Sequence, residues 1–332
     1  MGTRRAAILA AIMTAALVPA VLLPAAASAA PPGDAPEPVA EVLATGLTGP
    51  IGSTIGPDGA LYVADRAGGE VVRIDTATGA STPFATGLPV TAPGGVFDVA
   101  FIGDTAYVLI SVVGPDVGGT DVGGIYRVDD VDTTTLIADI AEWSIDNPPD
   151  ADYFVPSGVQ YAFVPYGDGF LVTDGHHNRV LSVSLDGEVT ELIAFGNIVP
   201  TGLAVQGNTV YMAEAGPLPH LPETGKVVSF SPKSPTATEV ASGGRLLVDV
   251  EFGRGASLFA LSQGVWVSGP AGSPSSPNTG ALLEVNDDGT FAVVVDELNQ
   301  PTSLEFIQNT AYVVTLGGEI WTIDNVSAPP HG

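Results

Sequence analysis

The chain of 332 residues contains no cysteine, so no disulfide, thiol nucleophile or cysteine-attached lipid enters its chemistry. Its stability has to come from a packed core. Basic residues are also scarce: ten lysines and arginines stand against 37 aspartates and glutamates. Two of the ten, Arg4 and Arg5, fall within the first 29 residues, so from residue 30 onward eight positive charges meet 37 negative ones, a net charge of −29. Such a surface repels phosphate backbones, which argues against nucleic acid as a partner, and it disfavours anionic membranes for the same reason. It also favours solubility outside the cell. Motifs are missing too. There is no Gly-x-Ser-x-Gly elbow, no His-Glu-x-x-His and no phosphate-binding glycine loop.

The one long apolar run, Ala6 to Ala27, follows Arg4 and Arg5 and ends in the small residues "ASAA". A positive start, an apolar middle and an Ala-x-Ala site make a secretory signal peptide, with cleavage expected after Ala29 and residues 30–38 as a linker. Pro19, Pro24 and the Ala-x-Ala ending argue against an uncleaved anchor helix. "TRRAAIL" also resembles a twin-arginine signal, so the export route stays open. The expectation is a secreted protein with no membrane insertion after cleavage.

Beyond the signal, helical periodicity is nearly absent, and short alternating apolar runs are separated by Gly, Pro, Asp and Asn. The runs recur as a unit of about fifty residues. Its second strand reads "LYVAD" (61–65), "AYVLI" (106–110), "FLVTD" (170–174), "VYMAE" (210–214), "LFALS" (258–262) and "AYVVT" (311–315). First strands stand ahead of these: "IGSTI" (51–55), "FDVAF" (97–101), "SGVQY" (157–161), "TGLAV" (201–205), "VDVEF" (248–252) and "TSLEF" (302–306). Six third strands follow, but only five fourth strands. The missing one lies at the other end of the chain, where "EVLATGL" (41–47) matches "TPFATGL" (82–88), the fourth strand of unit one. The fold predicted is all-β: a six-bladed β-propeller of four-stranded antiparallel blades over residues 39–326, closed by the N-terminal strand, with 327–332 as a tail. Radial closure of this kind leaves no exposed terminal edge.

Three stretches carry a resemblance: "LTGPIGSTIGPDGALYVAD" (47–65), "DGHHNRVLSVSLDGEVTEL" (174–192) and "VPTGLAVQGNTVYMAEAGPLPHLPETGKVVSF" (199–230). They resemble the ScyD/ScyE family, and "VTDGHHNRVLSV" resembles an NHL-type blade. The resemblance implies an exported six-bladed propeller and no settled reaction. Gluconolactonase-like propellers hold a divalent metal in the channel with Glu, Asn and Asp. Here the first blade reads "TGPIGST" and lacks the early Glu, which weakens transfer of that mechanism.

In a propeller, loops joining strands one to two and three to four share one face. Here they are short turns such as "GPDG" (56–59), "QGN" (206–208) and "NDDG" (286–289). The opposite face carries long connections: Ser111 to Gly124, Asp139 to Pro156, Ala215 to Lys226 and Gln263 to Ala281. Long loops in a compact domain are where binding is expected. The second of them brings Trp143, Asp146, Asn147, Asp152, Tyr153 and Phe154, aromatics beside carboxylates suited to a planar, sugar-like or amine ligand. Asp65, Asp174 and Glu214 end their second strands toward the same face; Arg73 and Arg179 stand across the hairpins from the first two, so cross-strand pairs or loop caps are expected there, and Lys226 is a comparable partner of Glu214. Asp98 and Asp249 occupy one position on the first strands of opposing blades. They could share a proton or a cation such as Ca²⁺, or accept hydrogen bonds from nearby backbone amides. His176, His177 and His220 add imidazoles for base or ligand roles. "LPETG" (221–225) matches a cell-wall sorting signal letter for letter, but more than a hundred residues follow it, so it reads as coincidence.

Two functional readings follow. One is a secreted binding module that recognises a small molecule, a glycan or an extracellular protein through the long-loop face. The ligand-contacting residues would be Trp143, Asp146, Asn147, Asp152, Tyr153, Asp174, His177 and His220. The alternative is a hydrolase- or lyase-type enzyme with Glu214, Asp98, Asp249 and His176 as catalytic candidates at the channel mouth. Asp98 and Asp249 would then be its metal candidates.

Overall fold

The computed structural model describes residues 36–150, 152, 154–270 and 272–327. The signal peptide, most of the linker, Tyr153 and the last five residues lie outside them. The described chain forms six antiparallel sheets of four strands each. Innermost strands run Ser53–Ile55, Gly95–Ile102, Gln160–Tyr166, Pro200–Gln206, Leu247–Phe252 and Pro301–Ile307. Second strands are the most deeply buried elements. Every residue of Leu61–Asp65, Gly169–Asp174 and Leu258–Ser262 is buried, because each is covered on both faces by neighbouring blades.

The N-terminal strand Val39–Thr45 pairs with Glu319–Asp324 and completes the sixth blade. The repeated "ATGL" has a local cause. Gly46 and Leu47 donate to the carbonyl of Gly318, and Leu88 donates to the carbonyl of Gly69, so each copy docks on the strand two-to-three turn of its own blade. Gly318 has φ +88°, and a Cβ there would lie 2.0 Å from the Leu47 carbonyl oxygen. Only glycine allows that approach.

Five of the six innermost strands carry a register shift at the same place: between Val96 and Asp98, Gln160 and Phe163, Pro200 and Leu203, Leu247 and Asp249, and Pro301 and Ser303. These bulges turn a side chain toward the adjoining blade. At two of them the residue is aspartate. Asp98 accepts from the amides of Val99 (2.9 Å) and Phe163 (3.0 Å). Asp249 accepts from Val250 (2.9 Å) and Leu304 (2.8 Å). Each carboxylate thus ties its blade to the next. The blade before each one presents a glycine at the matching point. A Cβ on Gly52 would fall 2.2 Å from Asp98 Oδ1, and one on Gly202 would fall 2.1 Å from Asp249 Oδ1.

Two sequence expectations need correction. The first strand of blade three lies at Gln160–Tyr166 rather than 157–161, because Gly158 donates to the Val155 carbonyl and closes a turn just before it. The connection after blade two contains a helix, Ile140–Asp146. Asp139 caps it by accepting from the Glu142 amide at 2.8 Å, and Ile140 and Ser144 form its buried face.

Candidate active site in the central channel

The innermost strands enclose a cavity of about 170 Å³ on the ring axis. It is walled by Gly52 to Thr54, Asp98 to Ala100, Ala162 to Pro165, Leu203, Val248, Asp249, Glu251, and Thr302 to Glu305. Its floor is Tyr161. That ring packs at 6.4 Å, edge to face, on Phe97, and its hydroxyl reaches within 3.5 Å of the Thr302 carbonyl on the opposite blade. Ile51, Phe97 and Val248, all buried, fill the same layer. All six strands run from the long-loop face to the short-turn face, and the cavity walls continue from this layer toward the short turns. The pocket therefore belongs to the short-turn side of the plug. The expectation that the channel residues sit at the long-loop mouth is corrected by this layer of bulky side chains.

Four carboxyl groups line the pocket: Asp98, Asp249, Glu251 and Glu305. Burial raises Asp249 to about 7, although its two backbone amide donors and Ser303 pull the other way. Asp98 is raised well above its ordinary range, by burial first and then by the charge of Asp249. Burial also raises Glu251 to about 8; the Phe252 amide opposes this and the Asp249 charge adds to it. Glu305 is raised well above its ordinary range, by burial first and then by Glu251, Asp249 and Asp98. Both glutamates are surrounded by protein yet keep an edge that solvent reaches through the channel. No lysine or arginine lines the pocket to stabilise the charged forms. Like charges in a desolvated space cannot all ionise, so the group holds shared protons at neutral pH.

Glu251 and Glu305 were not singled out from the sequence. The signal was present in "VDVEF" and "TSLEF", which carry Glu at the same point of the strand. The corresponding residues in the other blades are Thr54, Ala100, Val164 and Ala204. Both oxygens of Asp98 and of Asp249 already accept backbone amides. Among the described residues no three His, Asp or Glu side chains converge to hold a metal.

The other candidates lie elsewhere. Glu214 sits at the far end of its strand. Burial raises it to about 7 against the opposing pull of Lys226, whose ammonium pairs instead with Glu239 at 2.6 Å. Asp65 does not pair with Arg73. It accepts the Thr48 amide at 2.8 Å, and Arg73 pairs with Asp58 at 2.7 Å, because Asp58 stands in the turn facing the guanidinium. Asp174, by contrast, does meet Arg179, at 3.4 Å, and both are buried. Arg179 also donates to the Asn147 carbonyl (2.8 Å), lies 2.8 Å from His177 Nδ1 and stacks 4.8 Å over Trp143. His177 Nε2 lies 3.0 Å from the Val155 carbonyl. Trp143, Asn147, Asp174 and His177 are thus brought together, and the contacts they make there run to the protein itself. They fasten the connection after blade two to blade three. Asp146 and Asp152 are exposed beside this network.

Burial lowers His176 to about 4, so its imidazole is neutral, and its ring centre lies 4.0 Å from that of Phe154. His220 faces the Gly216 carbonyl at 3.1 Å. "LPETG" is folded rather than extended. The Thr224 hydroxyl donates to the Leu221 carbonyl at 2.7 Å, and Gly225 is buried at the start of Gly225–Ser231. A sortase incubated with the folded protein is therefore expected to leave it uncut, and a mass spectrum showing a break after Thr224 would contradict this.

No protein-family model matches the chain, and no curated protein matches it in sequence. Similarity appears at the level of solved structures. Virginiamycin B lyase of Staphylococcus aureus superposes with TM-score 0.52 at 12% identity, covering 87% of this chain and 99% of that one. A gluconolactonase of Xanthomonas campestris reaches 0.59 at 14% identity, covering 86% and 89%. The PQQ-bound aldose sugar dehydrogenase of Streptomyces coelicolor reaches 0.58 at 13% identity, covering 89% and 99%. At such identities these likenesses show the fold alone. This chain is a six-bladed β-propeller.

Proposed function

We propose that the protein is an enzyme of hydrolase or lyase type whose proton-transfer site is the channel pocket. The observation that carries this is the pair Glu251 and Glu305, at matching positions on adjacent innermost strands, in a solvent-reached pocket without a basic residue. As pH rises through about 8, one carboxyl of this pair ionises while the other keeps its proton, so acid and base stand side by side in that range. In hydrolysis the carboxylate takes a proton from water as its oxygen bonds to an ester or lactone carbonyl. The carboxylic acid gives its proton to the departing alkoxide as the C–O bond breaks. In elimination the carboxylate removes a proton beside a carbonyl, a C=C bond forms, and the acid protonates the leaving oxygen. The lyase and the gluconolactonase that share the fold support this class.

The test is turnover of γ- and δ-lactones and simple esters, with an elimination assay beside it, on residues 30–332. Glu251→Gln and Glu305→Gln are each expected to lower turnover at least about a hundredfold while the chain stays folded. Turnover that survives both changes, or none on any of these substrates, overturns the reading. Export through the leader, and membership of the ScyD/ScyE family, belong to the same proposal; the quoted sequence motifs support them. A second reading, an interaction module on the long-loop face, is favoured by three exposed apolar side chains there: Phe154, Leu221 and Val267, at 56, 54 and 68% exposure.

A further inference from the structure

A second cavity, of about 660 Å³, lies between blades four and five on the short-turn side. That is within the range of roughly 300–1,000 Å³ seen for small-ligand sites. Its walls are the ends of strands Pro200–Gln206 and Leu247–Phe252, the turn that follows the latter, and the turn after Gly280–Val285. Tyr211 and Phe252 meet edge to face at 5.1 Å and 88°, and both are only half-buried, so ring surface remains on the groove. Around them stand Gln206, Asn286 and Asp287, all exposed, and the half-buried Glu284. The wall formed by residues 253–257 holds Ala256 at φ +65°, a left-handed conformation that a side chain rarely adopts.

We infer that this groove binds a neutral saccharide of one to three pyranose rings. The apolar C–H face of a pyranose packs on aromatic carbon, and its hydroxyls both donate and accept in the plane around it. The groove offers that combination: two rings, two carboxamides that donate and accept, and two carboxylates that accept. No basic residue lines it, which sets phosphorylated and uronic sugars aside. A simple alkylammonium would offer no acceptor to the exposed Gln206 carboxamide. The inference is independent of the acid–base reading, since binding needs no chemistry in the channel. Geometry nevertheless links the two. Glu251 lines the channel and Phe252, the next residue, lines the groove, so a saccharide held on Phe252 lies beside the pocket wall.

The test is isothermal titration of the protein with maltotriose, cellotriose and chitotriose, with glucose 6-phosphate and spermidine as controls. At least one trisaccharide is expected to bind, and neither control. Tyr211→Ala is expected to weaken binding about tenfold or more, equivalent to about 1.4 kcal/mol. Asn286→Ala, at an exposed turn position that leaves the core untouched, is expected to weaken it as well. Glu251→Gln is expected to leave it unchanged. Four results would overturn the inference: no trisaccharide binds; binding is unaffected by Asn286→Ala in folded protein; glucose 6-phosphate or spermidine is preferred; or binding is lost with Glu251→Gln, which would place the sugar in the channel. If the channel variants lose turnover while trisaccharide binding is absent, only the groove fails. If the sugar binds and no substrate turns over, only the catalytic reading fails.

Discussion

At pH 8 the double variant Glu251→Gln, Glu305→Gln is expected to unfold about 5 °C above the parent protein, which for a ring of this size corresponds to roughly 3 kcal/mol. At pH 4, below the ordinary carboxylate range, the two should nearly coincide. The reason is the direction of the shifts. Glu251 is raised to about 8 and Glu305 well above its ordinary range, both by burial first. Between the ordinary carboxylate range and these values the folded chain binds protons that the unfolded chain has released. Stability from these groups is therefore complete at low pH and is lost as pH rises through the folded values. Asp249 and Glu214, each raised to about 7, act in the same sense. The histidines oppose them only at lower pH: His176 is depressed to about 4 and His220 is also lowered, both by burial, so they cost stability as pH falls below the ordinary imidazole range. Glutamine keeps the shape and removes the ionisation. Calorimetry of both proteins at pH 4 and pH 8 decides the matter. Equal midpoints at pH 8 would mean that the two glutamates are hydrated and ordinary. A gain in stability together with a loss of turnover is the usual cost of a strained active site.

Deleting residues 36–47 is expected to have a larger effect, in the opposite direction. The strand Val39–Thr45 is the fourth strand of blade six, and without it Glu319–Asp324 becomes an open edge. Leu43, Ala44 and Leu47 also leave the cluster around Val314 and Ile320. The loss is on the order of 5 kcal/mol, a large part of the stability of an ordinary domain. The truncated chain should aggregate, or melt well over ~5 °C lower. A synthetic peptide of residues 36–47 added in trans should restore part of the midpoint by pairing with the exposed edge, and a scrambled peptide should not. An unchanged midpoint after deletion would show that closure contributes little.

The blades were legible in the sequence because each second strand is buried on both faces and so keeps one apolar pattern six times over. Closure was legible because docking on Gly69 and Gly318 demands the same "ATGL" at two distant places. The helix Ile140–Asp146 was hidden by its shortness; its trace was the spacing of Asp139 and Glu142. The channel glutamates were hidden because one acidic residue in an alternating strand reads as solvent-facing, and only the ring turns that side inward. Loop length carried no trace of the carboxyl pocket, which opens away from the long loops. The long loops pack and bond among themselves, as where Ser157 donates to Asp116 (2.9 Å) and Ser275 to the Gln263 carbonyl (2.7 Å).

The bulge between Leu247 and Asp249 acts as an index mark for everything that follows it on that strand. Alternation there assigns odd and even residues to different compartments: Glu251 to the axis, Phe252 to the gap between blades. A one-residue shift would exchange them while leaving the ladder of backbone bonds nearly as long. Length changes upstream of the mark can be absorbed in the connection from blade four. Downstream of it, a single inserted or deleted residue would place a phenyl ring among the carboxyl groups and a carboxyl group against Tyr211. The chain's reading frame, in this spatial sense, is kept at one bulge in each of five blades.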